Sequence, residues 1–299
     1  MQIEFLGTGG AVTTPRPGCA CRVCAQARAR GLPYSRTGPS LFVHGPDVLI
    51  DTPEESKEQL NRSRVGRIAA CCYSHWHPDH VMGRRVWEAR NQDWRHWPPR
   101  HTRTDVYLPP QVARDFRRTL GTWEHLRFFE QEGLVRLVEL AEGEEVTLGD
   151  TRVAPLRLAE EYAYAFLVEG EGQRVLLVPD ETHGWVPPAR ACGVDLAVLP
   201  LGAMEFDPLT GARRIPRDHP LLATEATFAE TLRLVDALGA RRVFLTHIEE
   251  MDGLNYDDLA ELQRRLRRAG RDITFAFDTL LVDVGPTAAD PHPTNASSG

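Results

Sequence analysis

No stretch of this 299-residue sequence is apolar for long enough to cross a membrane. A basic-then-apolar signal region is also missing. A strand-like Ile3-Glu4-Phe5-Leu6 begins almost at once, so a cytoplasmic protein is expected. Nor is there a block of basic residues: the net charge is −7, which favours a small substrate over a large polyanion and argues against a nucleic-acid-gripping arm. Gly7-Thr8-Gly9-Gly10 is not followed by Gly-Lys-Ser/Thr, so it reads as a tight turn rather than a phosphate loop. Neither a repeat nor a mid-chain linker interrupts the chain. Only residues 286–299, rich in Pro, Ala and Ser, have the composition of a disordered tail. The rest, 42% hydrophobic and 26% charged over the whole chain, reads as one domain over residues 1–285, long enough to bury a large core.

What the chain does have is concentrated at His75-Trp76-His77-Pro78-Asp79-His80. Imidazole and carboxylate suit Zn²⁺, Mn²⁺ and Fe²⁺, and one loop with three His and an Asp can serve two ions. Arg67 to Tyr73 reads as a buried strand and Val81 to Arg90 as a helix. The donors would then sit at the carboxyl end of a strand, where open α/β sheets place their chemistry. Alternation puts His75 and His77 on the same side. A second cluster, Cys19, Cys21 and Cys24, is better read in a reducing compartment as a structural zinc site than as a disulfide. Two further buried strands end in donor types, Leu176 to Asp180 and Val243 to His247. Helical periodicity runs over Leu222 to Leu238 and Tyr256 to Ala269.

The run His75 to His80, followed by Gly83, resembles the H-x-H-x-D-H-x-x-G motif of the metallo-β-lactamase superfamily. The stretch Leu6 to Ala11 with Cys19-Ala20-Cys21-Arg22-Val23-Cys24 is similar to the amino terminus of the PhnP-type phosphodiesterases. The resemblance implies an αββα sandwich, two divalent ions (Zn²⁺ or Mn²⁺) and a third, structural Zn²⁺. It also implies hydrolysis of a small, for example cyclic, phosphodiester by in-line attack of a metal-bound hydroxide. On this pattern Asp180 bridges the ions, His247 supplies the last His of the second, and Asp51 orients the metal loop. Asp79 is expected to bind the second ion or orient the attacking water. His219, just before the 222–238 helix, is expected to contact phosphate and protonate the leaving alkoxide.

The sequence departs from the family at two places. Where the pattern has a His after a Pro-Leu-x-Leu strand, Pro155-Leu156-Arg157-Leu158 leads to Glu160, with His183 as a rival donor. A carboxylate there would favour harder ions such as Mn²⁺. The fourth ligand of the cysteine zinc, a His in the family, falls on Glu250. Two other readings stay open: a cofactor-pathway protein resembling the PQQ-biosynthesis protein B family, and a non-catalytic metal-binding member of the fold. The aromatic and cationic segment Asp93 to His101 reads equally as a substrate lid or a homodimer contact.

Overall fold

The computed structural model describes residues 1–285, so the tail expected at 286–299 lies outside the described residues. Two seven-stranded mixed sheets form the molecule. The first runs, edge to edge, Leu281–Asp283, Gln2–Gly7, Ser40–His44, Val48–Ile50, Ala70–Cys72, Thr104–Leu108 and Val135–Glu139. The second runs Ile273–Phe275, Arg242–Thr246, Leu196–Pro200, Gln173–Leu177, Tyr164–Gly170, Thr151–Arg157 and Val146–Leu148. Helices cover the outer faces, which gives the αββα sandwich.

Side-chain alternation explains why the central strands read as unbroken apolar runs. In the second sheet Phe166, Val168, Val175, Leu177, Val198 and Phe244 join the core shared with the first sheet. Their neighbours Leu167, Leu176, Ala197, Leu199 and Leu245 pack with residues of the helices Phe228–Leu238 and Tyr256–Arg268. Both faces are buried, so both parities must be apolar. Phe5 and Phe244 meet across the sandwich, ring centroids 5.6 Å apart.

The parallel part of each sheet positions the site. Val48–Ile50 pairs in parallel with Ala70–Cys72, and Leu196–Pro200 pairs in parallel with both Gln173–Leu177 and Arg242–Thr246. Their carboxyl ends lead to Asp51, His75, Asp180 and His247, so donors from both sheets gather at one edge of the sandwich.

Two helices differ from the sequence expectation. The segment after the metal loop is broken into Pro78–Val81, a 3-10 turn Met82–Arg85 and Val86–Asn91. A Cβ on Gly83 would lie 1.8 Å from the Pro53 carbonyl oxygen, so the chain passes here at a distance only glycine permits. The expected 222–238 helix begins at Phe228. Thr227 caps it in a reciprocal box with Glu230, and Ala203 bonds the backbone of Ala226 and Phe228, holding that entry extended. Residues Pro220–Ala223 form only a 3-10 turn.

Candidate metal centres

Two donor groups meet at the sheet edge, His75 with His77 and Asp180, and Asp79 with His80 and His247. Asp180 lies between them. Its Oδ2 is 3.4 Å from His75 Nε2 and 3.8 Å from His80 Nε2, while its Oδ1 is 3.4 Å from His247 Nε2. The Nε2 atoms of His75, His80 and His247 are buried and make no hydrogen bond. A buried imidazole nitrogen without a partner is costly unless a cation takes its lone pair. The donor set therefore fits divalent ions.

The opposite ring nitrogens are held. Asp51 accepts from the Ser74 backbone N–H (2.8 Å) and hydroxyl (2.6 Å), and its Oδ2 is 2.8 Å from His80 Nδ1. Ser74 Oγ is 2.9 Å from His75 Nδ1. One carboxylate thus fixes the orientation of two rings, which aims their Nε2 atoms at the centre. Asp51 and His247 both adopt left-handed backbone, φ 61° and 53°. Such conformations persist where the surroundings enforce them, as at functional sites. The glycine turn reaches the same place: a Cβ on Gly10 would stand 2.5 Å from the His247 ring. Asp51→Ala is expected to weaken metal binding roughly 10–100-fold. Chelator competition measures this, and unchanged affinity would remove Asp51 from the site.

Charge compensation within the cluster has a clear pattern. Burial alone would lower the His247 pKa, but Asp180 and Asp79 outweigh it and push the ring up to about 10. His80 is raised against burial by Asp79 and Asp51. Burial and then His75 push His77 down to about 4. Asp180, although burial opposes it, is held well below the usual carboxylate range by His247, His75 and His80. In the absence of ions, a proton on His247 offsets part of the carboxylate charge, and metal entry must displace it.

Beyond the donors opens a cleft of ≈ 530 Å³ that includes His77, Asp79, Tyr162, Asp180, Arg214 and His219 in its lining. Burial, then Glu225, pushes Glu181 up to about 9, and burial pushes Asp252 up to about 7. These walls therefore carry less negative charge than their composition suggests. Arg214 is tied to Asp207 at 2.6 Å and to the Asp252 carbonyl. His219 is on the cleft rim, but ahead of the short Pro220–Ala223 turn. His219 therefore does not stand at the start of a helix long enough to favour an anion.

Neither Glu160 nor His183 belongs to either donor group. Tyr162, two residues beyond Glu160, faces the cleft instead. No sequence signal marks Tyr162, because the usual metal donors are His, Cys and carboxylate and its spacing matches none of their patterns. The Asp93 to His101 segment is absent from the cleft lining, with Trp94 and Trp97 83% and 93% exposed.

The second cluster joins Cys19, Cys21, Cys24 and Glu250. Glu250 Oε1 lies 2.8 Å from the sulfur of Cys21, 3.3 Å from that of Cys24 and 3.4 Å from that of Cys19. Donors on a tetrahedral zinc are about 3.5–3.8 Å apart, given bonds of ~2.0–2.3 Å. Three sulfurs and an oxygen at these spacings fit such an ion after small adjustment. Burial first, and Glu250 with it, pushes the Cys24 thiol up to about 12, a shift that a bound cation would reverse. Glu250 starts three residues after His247, and the Glu250 N–H donates to the Val12 carbonyl at 3.0 Å. The cluster therefore braces the loop that carries His247.

A family model described as a beta-lactamase superfamily domain matches residues 45–248. Among solved structures, a diphosphatase from the PhnP family superposes with a TM-score of 0.68 at 22% identity, over 94% of this chain and 97% of that one. Zn²⁺-bound PqqB from Methylobacterium extorquens gives 0.66 at 17%, over 95% and 100%. Human short-form tRNase Z gives 0.58 at 18%, over 96% and 100%. An octanoyltransferase of Porphyromonas gingivalis is 27% identical over 161 residues, 53% of this chain, and the match spans only 30% of that relative's length. The superfamily match and the paired donor groups support a metal-dependent hydrolase. With that match over most of the chain and the sandwich fold, the protein belongs to the metallo-β-lactamase superfamily.

Proposed function

We propose that the cleft hydrolyses a small phosphodiester with two divalent ions held by His75, His77, Asp79, His80, Asp180 and His247. The observation that carries this reading is the sharing of Asp180 between two donor groups at the base of a cleft of small-molecule size. Two ions bound by these groups would supply an activated water and a clamp on a phosphate oxygen. The chain's own residues do the rest. Asp180 ties the two groups together, and Asp79 sits between His80 and His247, 3.4 and 3.7 Å from their Nε2 atoms. Its part in this reading is to bind the second ion or to orient the attacking water.

His219 is assigned to the leaving group. Its Nδ1 accepts the Leu221 N–H at 3.1 Å, so in the neutral ring the proton resides on Nε2. That nitrogen is free to donate to a phosphate oxygen; to act as the acid the ring takes up a second proton on Nδ1, releasing the Leu221 N–H, and returns to neutral when Nε2 protonates the departing alkoxide. Protonated Glu181 and the tied Arg214 limit the repulsion an anionic diester would otherwise meet. The cysteine cluster, with Glu250 as its fourth ligand, is proposed to hold a structural zinc.

The test is turnover of bis(p-nitrophenyl) phosphate and of a ribose cyclic phosphate with added Mn²⁺ or Zn²⁺. Both are expected to be cleaved. His219→Ala should slow the cyclic substrate about 10²–10⁴-fold, the usual worth of general acid catalysis. It should spare the nitrophenyl ester, whose leaving group needs no proton. A protein with both ions bound that cleaves neither substrate would exclude the reading.

A further inference from the structure

The two donor groups are unequal. Counted with the shared Asp180, the second has four protein donors, Asp79, His80, His247 and Asp180. The first has three, His75, His77 and Asp180. Against the first group lies an aromatic ring. The Tyr162 centroid is 5.8 Å from that of His75 and 5.2 Å from that of His77. The donor rings stand at similar separations from one another: 4.1 Å for His75 and His80, 4.6 Å for His75 and His77, 5.8 Å for His80 and His247. Tyr162 is thus as much part of the ring cluster as the histidines are.

The hairpin that carries it explains the placement. Arg157 pairs with Tyr164, the Leu158 N–H donates to the Ala163 carbonyl at 2.9 Å, and the Ala163 N–H donates to the Glu160 carbonyl at 3.1 Å. In the tight loop these bonds close, Tyr162 joins the cleft lining beside His77 and Asp180, and Glu160 does not. Burial and the Asp180 carboxylate push the phenol pKa up.

We propose that Tyr162 completes the first ion's donor set through its phenol oxygen, joining His75, His77 and Asp180. The inference rests on the two-ion reading above. On binding, the O–H bond breaks, the proton leaves to solvent, and the oxygen lone pair forms the bond to the ion. A phenolate is a hard, anionic donor, so the first ion is expected to be Mn²⁺ or iron in preference to Zn²⁺. Glu160 takes no part.

The test loads protein whose cysteine cluster already holds zinc with Fe²⁺, oxidises it in air, and reads iron content together with the visible spectrum. The wild-type protein should bind both irons and show a phenolate-to-Fe³⁺ charge-transfer band. Tyr162→Phe keeps the ring and its packing but should lose the band, whether or not its iron content falls. Glu160→Ala should keep the band and both irons. Both irons bound without a band, or a band that survives Tyr162→Phe, would overturn the assignment and leave the two-ion reading intact. A wild-type protein that takes up no iron, Mn²⁺ or Zn²⁺ at the sheet edge would overturn both.

Discussion

Asp180→Ala is expected to strip the protein of both edge ions, whereas His77→Ala removes only the first. The difference follows from geometry. The two oxygens of Asp180 face His75, His80 and His247, which belong to both groups, while His77 belongs to one. Loss of a partner that merely orients a ligand costs roughly 10–100-fold in affinity or activity, so loss of the shared carboxylate should cost at least about a hundredfold in turnover. The fold should survive, because Asp180 lies at a strand end on the cleft rather than among apolar side chains. Metal analysis of the purified variants decides the matter. Near-normal metal content in Asp180→Ala would show that the two groups do not share an ion pair. The same cluster sets a pH dependence. Asp180 and Asp79 hold the His247 proton up to a pKa of about 10, and entering ions must expel it. Loading should therefore be weaker in mildly acidic than in mildly alkaline buffer.

Cys21→Ser is expected to lower the melting temperature by at least about 5 °C while changing turnover much less. At ~2–4 °C per kcal/mol for chains near this size, that corresponds to about 2 kcal/mol. Without a metal the substitution should be almost silent. Cys21 is exposed, serine is nearly isosteric, and surface changes of this kind stay within about 0.5 kcal/mol. With a zinc, one of four ligands is lost from a closed site that joins the amino-terminal loop to Glu250, 229 positions away. A variant with unchanged melting temperature and zinc content would rule out a metal there. Turnover is expected to be less affected, since a closed site offers no open position to substrate.

The order of His75, His77, Asp79 and His80 along one strand-to-helix turn was legible because local backbone geometry alone brings them together. Asp180 and His247 could be read too, each as a polar residue ending an apolar run that had to be a buried strand. The sequence also marked Cys19, Cys21 and Cys24, whose spacing is a local property, and placed Glu250 beside them only through resemblance. The start of the helix at Phe228 was not legible. The apolar period extends back to Leu222, and it is the tertiary bonding of Ala203 to Ala226 and Phe228 that holds that entry extended. Likewise no local rule chooses between Glu160, Tyr162 and His183. Which side chain of a tight hairpin faces the cleft depends on strand register, set by the pairing of Arg157 with Tyr164 and the burial of both sheet faces. Contiguous ligands are written in the sequence because the chain's own turn assembles them. The ring that lies against the first group, and the contacts of Asp180 with both groups, were decided only when two sheets packed and brought their strand ends to one edge.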